Sequence, residues 1–308
     1  MDLKVITVSP RFSIVITSHN QPGFIQDAIR SALSLRKGGA EIIVIDDAST
    51  DGSQAVLSAF GEAIHFIPLP TNRGKGGARN FGAAQATGDY LVFLDGDDAF
   101  LPWALDVYDR IVETKKPKLI ISSMAWLKDV LPVTPPDAPR EARIVTHADY
   151  LGKDRSIDIS ASSLIIDRQA FYDAGEWALD QPVMQDQDLV MRLGDAPGAV
   201  QIISPATTLH RAHAAQTISK VAPFLAVVYR MIRDENTGRY PGGRLRRLER
   251  RAFLGGLAFF WTLRALRAGM YWEGIKLAVR TSPEISIATA RRLWLILKGR
   301  RPIETIQI

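Results

Sequence analysis

The sequence predicts an α/β fold, a doubly wound and mostly parallel sheet followed by a C-terminal helical region. Three observations carry that expectation. Short runs rich in Val, Ile and Phe alternate with segments whose apolar residues recur at helical spacing, the signature of strand–helix–strand units. Two of the runs end in clustered acids, Ile45-Asp46-Asp47 and Leu94-Asp95-Gly96-Asp97-Asp98, and open α/β sheets bind ligands at the carboxyl ends of their strands. Charge then divides the chain. Residues 1–219 carry 20 Lys and Arg against 27 Asp and Glu, whereas residues 220–308 carry 18 against 6. The 308 residues, 46% hydrophobic, suffice for one large domain and an appendage. The expected division is an acidic body over 1–219, with halves at about 1–125 and 126–219, and a basic helical region over 220–308.

The elements follow in order. Phe12-Ser13-Ile14-Val15-Ile16-Thr17 reads as a first strand. Residues 22–35 place Phe24, Ile25, Ala28, Ile29, Ala32 and Leu33 on one helical face, and Lys37-Gly38-Gly39 stops the helix. Glu41-Ile42-Ile43-Val44-Ile45 is a second strand. Ser49-Thr50-Asp51-Gly52-Ser53 then offers caps for a helix over 54–60. Residues 64–69 form a third strand and 74–86 a helix rich in small residues. Tyr90-Leu91-Val92-Phe93-Leu94 is a fourth strand, continuous enough to be buried on both faces. A helix over 103–114 and strands near 119–122, 159–166 and 199–203 complete the body. Pro132, Pro135, Pro136 and Pro139 mark a surface loop. Long helices are expected after 219, interrupted at Gly238-Arg239-Tyr240-Pro241-Gly242-Gly243.

Composition excludes several classes. There is no cysteine, so any metal site must use O or N ligands. Met1-Asp2-Leu3-Lys4-Val5 lacks a signal-peptide pattern, and no uncharged apolar run reaches the ~18 residues of a membrane span. A cytoplasmic protein is therefore expected. No nucleic-acid motif accompanies the basic charge. Arg244, Arg246, Arg247, Arg250 and Arg251 precede the apolar residues 253–261, and Arg291-Arg292 precedes Leu293-Trp294-Leu295-Ile296-Leu297. That composition suits either an interfacial helix on anionic lipid, peripheral on the inner face of the plasma membrane, or a helical subdomain with a solvated basic face.

Clustered carboxylates repel one another, so a site that keeps them ionised commonly holds a cation. Carboxylate oxygens suit Mg²⁺ or Mn²⁺. Between the two acidic strand ends lies Asn72-Arg73-Gly74-Lys75-Gly76-Gly77-Ala78-Arg79-Asn80, whose glycines permit close backbone approach and whose cations suit phosphate. It lacks the spacing of a P-loop and of a dinucleotide fingerprint.

Taken together, these motifs resemble the family 2 glycosyltransferases. The resemblance rests on Ile14-Val15-Ile16-Thr17-Ser18-His19-Asn20, on Asp46-Asp47-Ala48-Ser49-Thr50-Asp51-Gly52-Ser53 (where the family usually has Gly at position 48), on residues 72–80, on Ala86-Thr87-Gly88-Asp89-Tyr90 and on residues 93–98. It covers roughly the first two thirds of the chain. It implies the Rossmann-like GT-A fold, binding a nucleoside-diphosphate sugar, with a UDP-sugar the expected donor, and a saccharide or glycolipid acceptor. By position, Thr17 and Asp47 would meet the nucleoside, Arg79 the base and phosphate and Arg211 a phosphate, with Asn20, Lys75 and Gly96 completing the nucleotide-sugar site. Asp95 and Asp97 would hold Mn²⁺ or Mg²⁺, with His213, rather than His210, as a third ligand. Asp98 reads as a cap.

In Gln185-Asp186-Gln187-Asp188-Leu189-Val190-Met191-Arg192, Asp186 aligns with the family's catalytic base, Gln185 stands where Glu is usual, and Asp188 is the fallback. A helix start at Asp186 would lower its pKa, and the neighbouring acids would oppose this. Trp177 is the best candidate to stack on an acceptor sugar. The resemblance implies an inverting enzyme of cell-surface polysaccharide, lipopolysaccharide or glycolipid synthesis. The rivals are an inactive nucleotide-sugar-binding or membrane scaffold protein, a nucleotidyltransferase, and a haloacid dehalogenase-type phosphatase, which Ala99 disfavours.

Overall fold

A computed structural model describes residues 11–35, 39–127, 138–154, 157–212 and 220–308. The first strands are β1 (Phe12–Ser18), β2 (Glu41–Asp46), β3 (His65–Pro68) and β4 (Tyr90–Asp95), joined by helices α1 (Ile25–Ser34), α2 (Ser53–Ser58) and α3 (Gly74–Gln85). They pair in parallel in the order β4-β1-β2-β3. Every residue of β1 is buried, because helices cover both faces of the sheet. The register sets Thr17 opposite Asp95 and Ser18 opposite Asp46, so the two acidic strand ends flank the end of β1.

The body continues with β5 (Ala99–Phe100), α4 (Ala104–Lys115), β6 (Leu119–Ile121), β7 (Met124–Leu127), β8 (Glu141–His147), β9 (Leu164–Asp167), α5 (Arg168–Asp173), α6 (Gln185–Arg192), β10 (Ala199–Ser204) and β11 (Thr208–Arg211). Among the described residues, nine strands form one sheet, extended beyond β4 by β9, β6, β10 and β8. A second sheet, β5-β11-β7, caps the carboxyl end of β4. Alternate residues serve the two faces. Ile14, Ile16, Val92 and Leu94 pack with α1 and α4, whereas Val15, Leu91 and Phe93 pack with α3, α5 and α6.

Within the body, the strands absent from the sequence reading are β5, β7, β8 and β11. Each is either two to four residues long or, in β8, only partly buried, and so lacks an apolar run. The expected strand over 159–166 is shorter, and β9 runs antiparallel to both neighbours. Residues 132, 135 and 136 of the proline-rich segment lie outside the described residues.

The basic region forms α7 (Val221–Thr237), α8 (Arg247–Arg267), α9 (Tyr271–Arg280) and α10 (Ser282–Lys298). Its core includes Phe224 stacked on Trp261 at 4.0 Å. It is not helical to its end: β12 (Glu304–Gln307) returns to pair antiparallel with β8 at the edge of the main sheet. Among the described residues no helix is long and apolar enough to cross a membrane.

The α8–α10 crossing depends on Gly255, where a Cβ atom would lie 1.9 Å from the Glu284 carbonyl oxygen. Backbone cannot yield there as a flexible side chain can. Gly255→Val should cost about 1–3 kcal/mol, lowering the thermal midpoint by several degrees in a melt followed by circular dichroism.

Candidate active site

The loops after β1 and β2 are stapled to each other. The Asn20 backbone N–H donates to Ser49 Oγ at 2.9 Å, and the Thr50 N–H donates to Asn20 Oδ1 at 2.8 Å. Asn20, expected in the nucleotide-sugar site, thus has its amide oxygen engaged by the next loop. Ala48 has φ 58°, the left-handed region that favours glycine, which accounts for the glycine usual there in the resembling family.

The two acids of this loop diverge. Asp46 is fully buried and accepts from the Ser49 N–H at 3.0 Å and Gln54 Nε2 at 2.9 Å. Asp47 accepts from the Arg73 N–H at 2.6 Å, and its carbonyl oxygen is met by His19 Nδ1 at 2.8 Å and Asn72 Nδ2 at 3.2 Å. His19 and Asn72 thereby join the site, although each belongs to a motif that signalled only a strand end or a phosphate loop. Beside them, Ala48, Ser49, Thr50, Gln54 and residues 68–70 line an open hollow at the ends of β2 and β3.

Helix α3 carries the glycine-rich segment. At Gly76 a Cβ would come within 2.8 Å of Gln185 Nε2 and 3.1 Å of the Ala178 carbonyl oxygen, so the missing side chain lets α3 close on the start of α6. Lys75 is exposed at the first turn. Arg79 is buried. Its Nη2 donates to Asp95 Oδ1 at 2.5 Å, its Nη1 to Gln185 Oε1 at 3.3 Å, and its guanidinium lies 4.6 Å over the Trp177 ring. Burial alone would raise the Asp95 pKa. The Arg79 charge, seconded by Lys75, outweighs it and holds the group at about 2.

Asp95, Asp97 and Asp98 present carboxylate oxygens within 4.8 Å of one another, a donor set that fits a hard divalent cation. They are not equivalent. The Asp95 backbone N–H donates to Ser162 Oγ at 3.0 Å, and Ser162 in turn donates to Asp98 at 2.6 Å. Asp98 also accepts from the Arg211 N–H and pairs with His210 Nδ1, both at 3.1 Å. It caps no helix, contrary to the sequence expectation; as a buried acceptor, it ties β4 to β11. Burial and the neighbouring acids push its pKa up. His210 is raised too: burial lowers it, but the Asp98 carboxyl more than compensates.

The remaining predicted residues are placed as follows. Thr17 is buried beside Asp95, and its carbonyl oxygen accepts from the Gly96 N–H at 3.0 Å. A Cβ at Gly96 would lie 2.9 Å from that oxygen. Arg211 was expected at phosphate; its guanidinium instead donates to Asp27 at 2.8 Å and to the Asp97 carbonyl oxygen at 3.1 Å, so it braces the acidic loop. His213 lies outside the described residues, and His210 is the histidine seen against the acids.

Asp186 occupies the first turn of α6, where its Oδ1 accepts from the Gln187 N–H at 3.1 Å. Its pKa is pushed up to about 6, not down. Burial dominates over the Gln187 N–H and Arg79, which act to lower it. Asp188 is fully buried and receives Arg192, Arg239 and Tyr240 at 2.8–3.1 Å. It joins α6 to the basic region and cannot serve as the fallback base. Trp177 is 1% exposed and packs edge-on against Phe93 at 5.1 Å, so it belongs to the core rather than to a sugar platform.

Residues 13–143 match the family model described as glycosyl transferase family 2. The succinoglycan biosynthesis protein ExoO of Rhizobium meliloti (strain 1021) is 36% identical over 114 residues, which cover 37% of this chain and 32% of that protein. The chain spans about a fifth to two fifths of the length of the curated relatives it matches. Among solved structures, S. aureus TarS 1-349 in complex with UDP-GlcNAc matches 90% of this chain and 81% of that one with a TM-score of 0.67 and 15% identity. Mannosyltransferase PcManGT from Pyrobaculum calidifontis, in complex with GDP-Man and Mn²⁺, matches 94% and 88% with a TM-score of 0.54 and 16% identity. These likenesses show the fold, the GT-A arrangement of a mostly parallel sheet.

The two acids of α6 separate by stability. Asp188→Asn leaves a fully buried acceptor uncharged beside the half-buried Arg192 and Arg239 guanidiniums and should cost about 1–3 kcal/mol. Asp186 behaves oppositely. Its raised pKa favours the protonated form, a stabilisation present below the ordinary carboxylate range and lost as pH rises through about 6. Asp186→Asn should therefore keep or raise the thermal midpoint at pH 7.

Proposed function

We propose that this chain, whose residues 13–143 belong to the family 2 glycosyltransferases, is an inverting transferase. It would move a sugar from a nucleoside-diphosphate donor to an acceptor hydroxyl of a saccharide or glycolipid in the cell envelope. The observation that carries this reading is the Arg79 link: one buried guanidinium touches Asp95 of the acidic strand end and Gln185, the neighbour of Asp186. The diphosphate-handling acids and the candidate base thus share one site.

In this mechanism Asp47 and Thr17 hold the nucleoside, and Lys75 on the first turn of α3 faces the phosphates. Asp97 with Asp95 would hold a divalent cation, which would supply charge neutralisation for the departing diphosphate. Asp186 takes the proton of the acceptor hydroxyl as its oxygen forms a bond to the anomeric carbon. The bond from that carbon to the diphosphate oxygen breaks, the electron pair leaves with the nucleoside diphosphate, and attack from the opposite face inverts the centre. A pKa near 6 suits a base working at neutral pH, since it is ionised yet basic enough to accept a proton. TarS and PcManGT, bound to UDP-GlcNAc and to GDP-Man with Mn²⁺, support a nucleotide-sugar donor. ExoO supports a polysaccharide product. A cytoplasmic enzyme would meet such a donor where it is made.

Binding and kinetic measurements test the reading. In a thermal-shift screen of nucleotide-sugars, a UDP-sugar with Mn²⁺ should stabilise the chain by mass action. Asp97→Ala should abolish the Mn²⁺-dependent part of that shift; a retained metal effect would move the metal site elsewhere. Asp186→Asn should lower kcat by about 10²–10⁴-fold while donor binding persists, and normal transfer would refute the base. In wild type, kcat/KM should fall as pH drops through about 6, where Asp186 takes up its proton. Donor binding without transfer to any acceptor would favour a binding protein.

A further inference from the structure

We infer that the C-terminal helices form a docking surface for an anionic lipid bilayer. Their exposed apolar side chains would insert between headgroups, and their cations would pair with lipid phosphates. Among the described residues, 17 large hydrophobic side chains are exposed. Thirteen of them lie between residues 245 and 297, and only two, Trp126 and Leu179, lie within 11–212. The body has hidden its apolar surface; the helical region has not.

The exposure follows helix faces. Helix α9 buries Gly274 and Leu277 against α8 and turns Tyr271, Trp272, Ile275 and Val279 outward, with Trp272 73% exposed. Helix α10 buries only Glu284, and its last turns present Leu293, Trp294, Ile296 and Leu297, the last 86% exposed. Helix α8 adds Phe259, Phe260 and Leu263. Faces of this kind on a soluble domain mark an interaction site.

Charge identifies the occupant. Residues 220–308 hold 18 cations and 6 acids. Five of those acids are already spent in ion pairs: Asp234 with Arg230, Glu235 with Arg250, Glu249 with Arg246, Glu284 with Arg251 and Glu304 with Lys115. Arg267, Lys276, Arg280, Arg292, Lys298 and Arg300 are exposed on or beside the apolar faces. Cations flanking Trp and aliphatic side chains are the chemistry of an interfacial surface on anionic lipid. A second copy would bring the same cations against themselves across a two-fold contact. Nucleic acid would leave Leu, Ile and Val without a role, because stacking needs aromatic faces.

Co-sedimentation of the full chain with vesicles tests this without any donor, so its failure is separate from failure of the transferase reading. The chain should bind phosphatidylcholine vesicles containing phosphatidylglycerol, bind pure phosphatidylcholine far less, and release as salt rises. Substituting Lys276→Glu and Arg280→Glu should weaken binding by at least about fivefold for each cation lost. Trp272→Ser with Ile275→Ser, and separately Trp294→Ser with Leu297→Ser, should weaken it at unchanged thermal midpoint. Equal binding to both vesicle types, or none, overturns the proposal. So does a dimer in analytical ultracentrifugation that the serine variants dissociate, or tighter binding to DNA or RNA than to the anionic vesicles.

Discussion

The buried guanidinium of Arg79 is the contact on which the site depends. It is a charge held almost out of water, which is costly unless paired. Three partners make it tolerable: the Asp95 carboxylate, the Gln185 amide oxygen and the Trp177 ring face. Those partners come from β4, α6 and the loop before α6, so satisfying one charge draws two distant parts of the chain together. Gln185 suits the arrangement because its amide also donates to the Ala178 and Gln181 carbonyl oxygens at 3.1 and 2.8 Å. A glutamate there could donate to neither and would add a negative charge beside Asp186.

A second regularity runs through the acids. Each acidic motif divides its labour between a buried anchor and a more accessible neighbour. Asp46 anchors the loop that presents Asp47, Asp98 ties β4 to β11 beneath Asp97, and Asp188 ties α6 to the basic region behind Asp186. The anchors accept from backbone N–H groups, a side-chain amide, hydroxyls, imidazole or guanidinium, Asp46 through Oδ2 alone. A carboxylate buried with those partners fixes geometry, and the neighbour one or two positions away inherits a defined orientation. Doubling of acids in the sequence therefore encodes both the chemistry and its support.

The parallel core was legible because strands buried on both faces need continuous apolar runs, as at Tyr90-Leu91-Val92-Phe93-Leu94. The acids at their ends were legible because carboxylates have few reasons to follow such a run. Other features left no local trace. β12 is four residues long and packs only at an edge. Trp177 read as an acceptor platform because side-chain type is local, whereas burial against Phe93 is not. The direction of the Asp186 shift failed for a similar reason: a helix N-terminus can be seen in sequence, but the burial that overrides it cannot.

By itself, then, the sequence determined the alternation of strands and helices, the family resemblance, the acids at the ends of β2 and β4 and the concentration of positive charge after residue 219. All are properties of neighbouring residues and their periodicity. Tertiary structure alone decided which acid of each pair faces inward, that Arg211 braces the acidic loop, that Asp188 is structural and that the basic helices leave apolar faces uncovered. Those outcomes depend on contacts between residues up to 184 positions apart, such as Arg79 with Gln185, Asp98 with Arg211 and Arg211 with Asp27. Only the folded chain brings such groups within hydrogen-bonding distance and removes the water that would otherwise screen them.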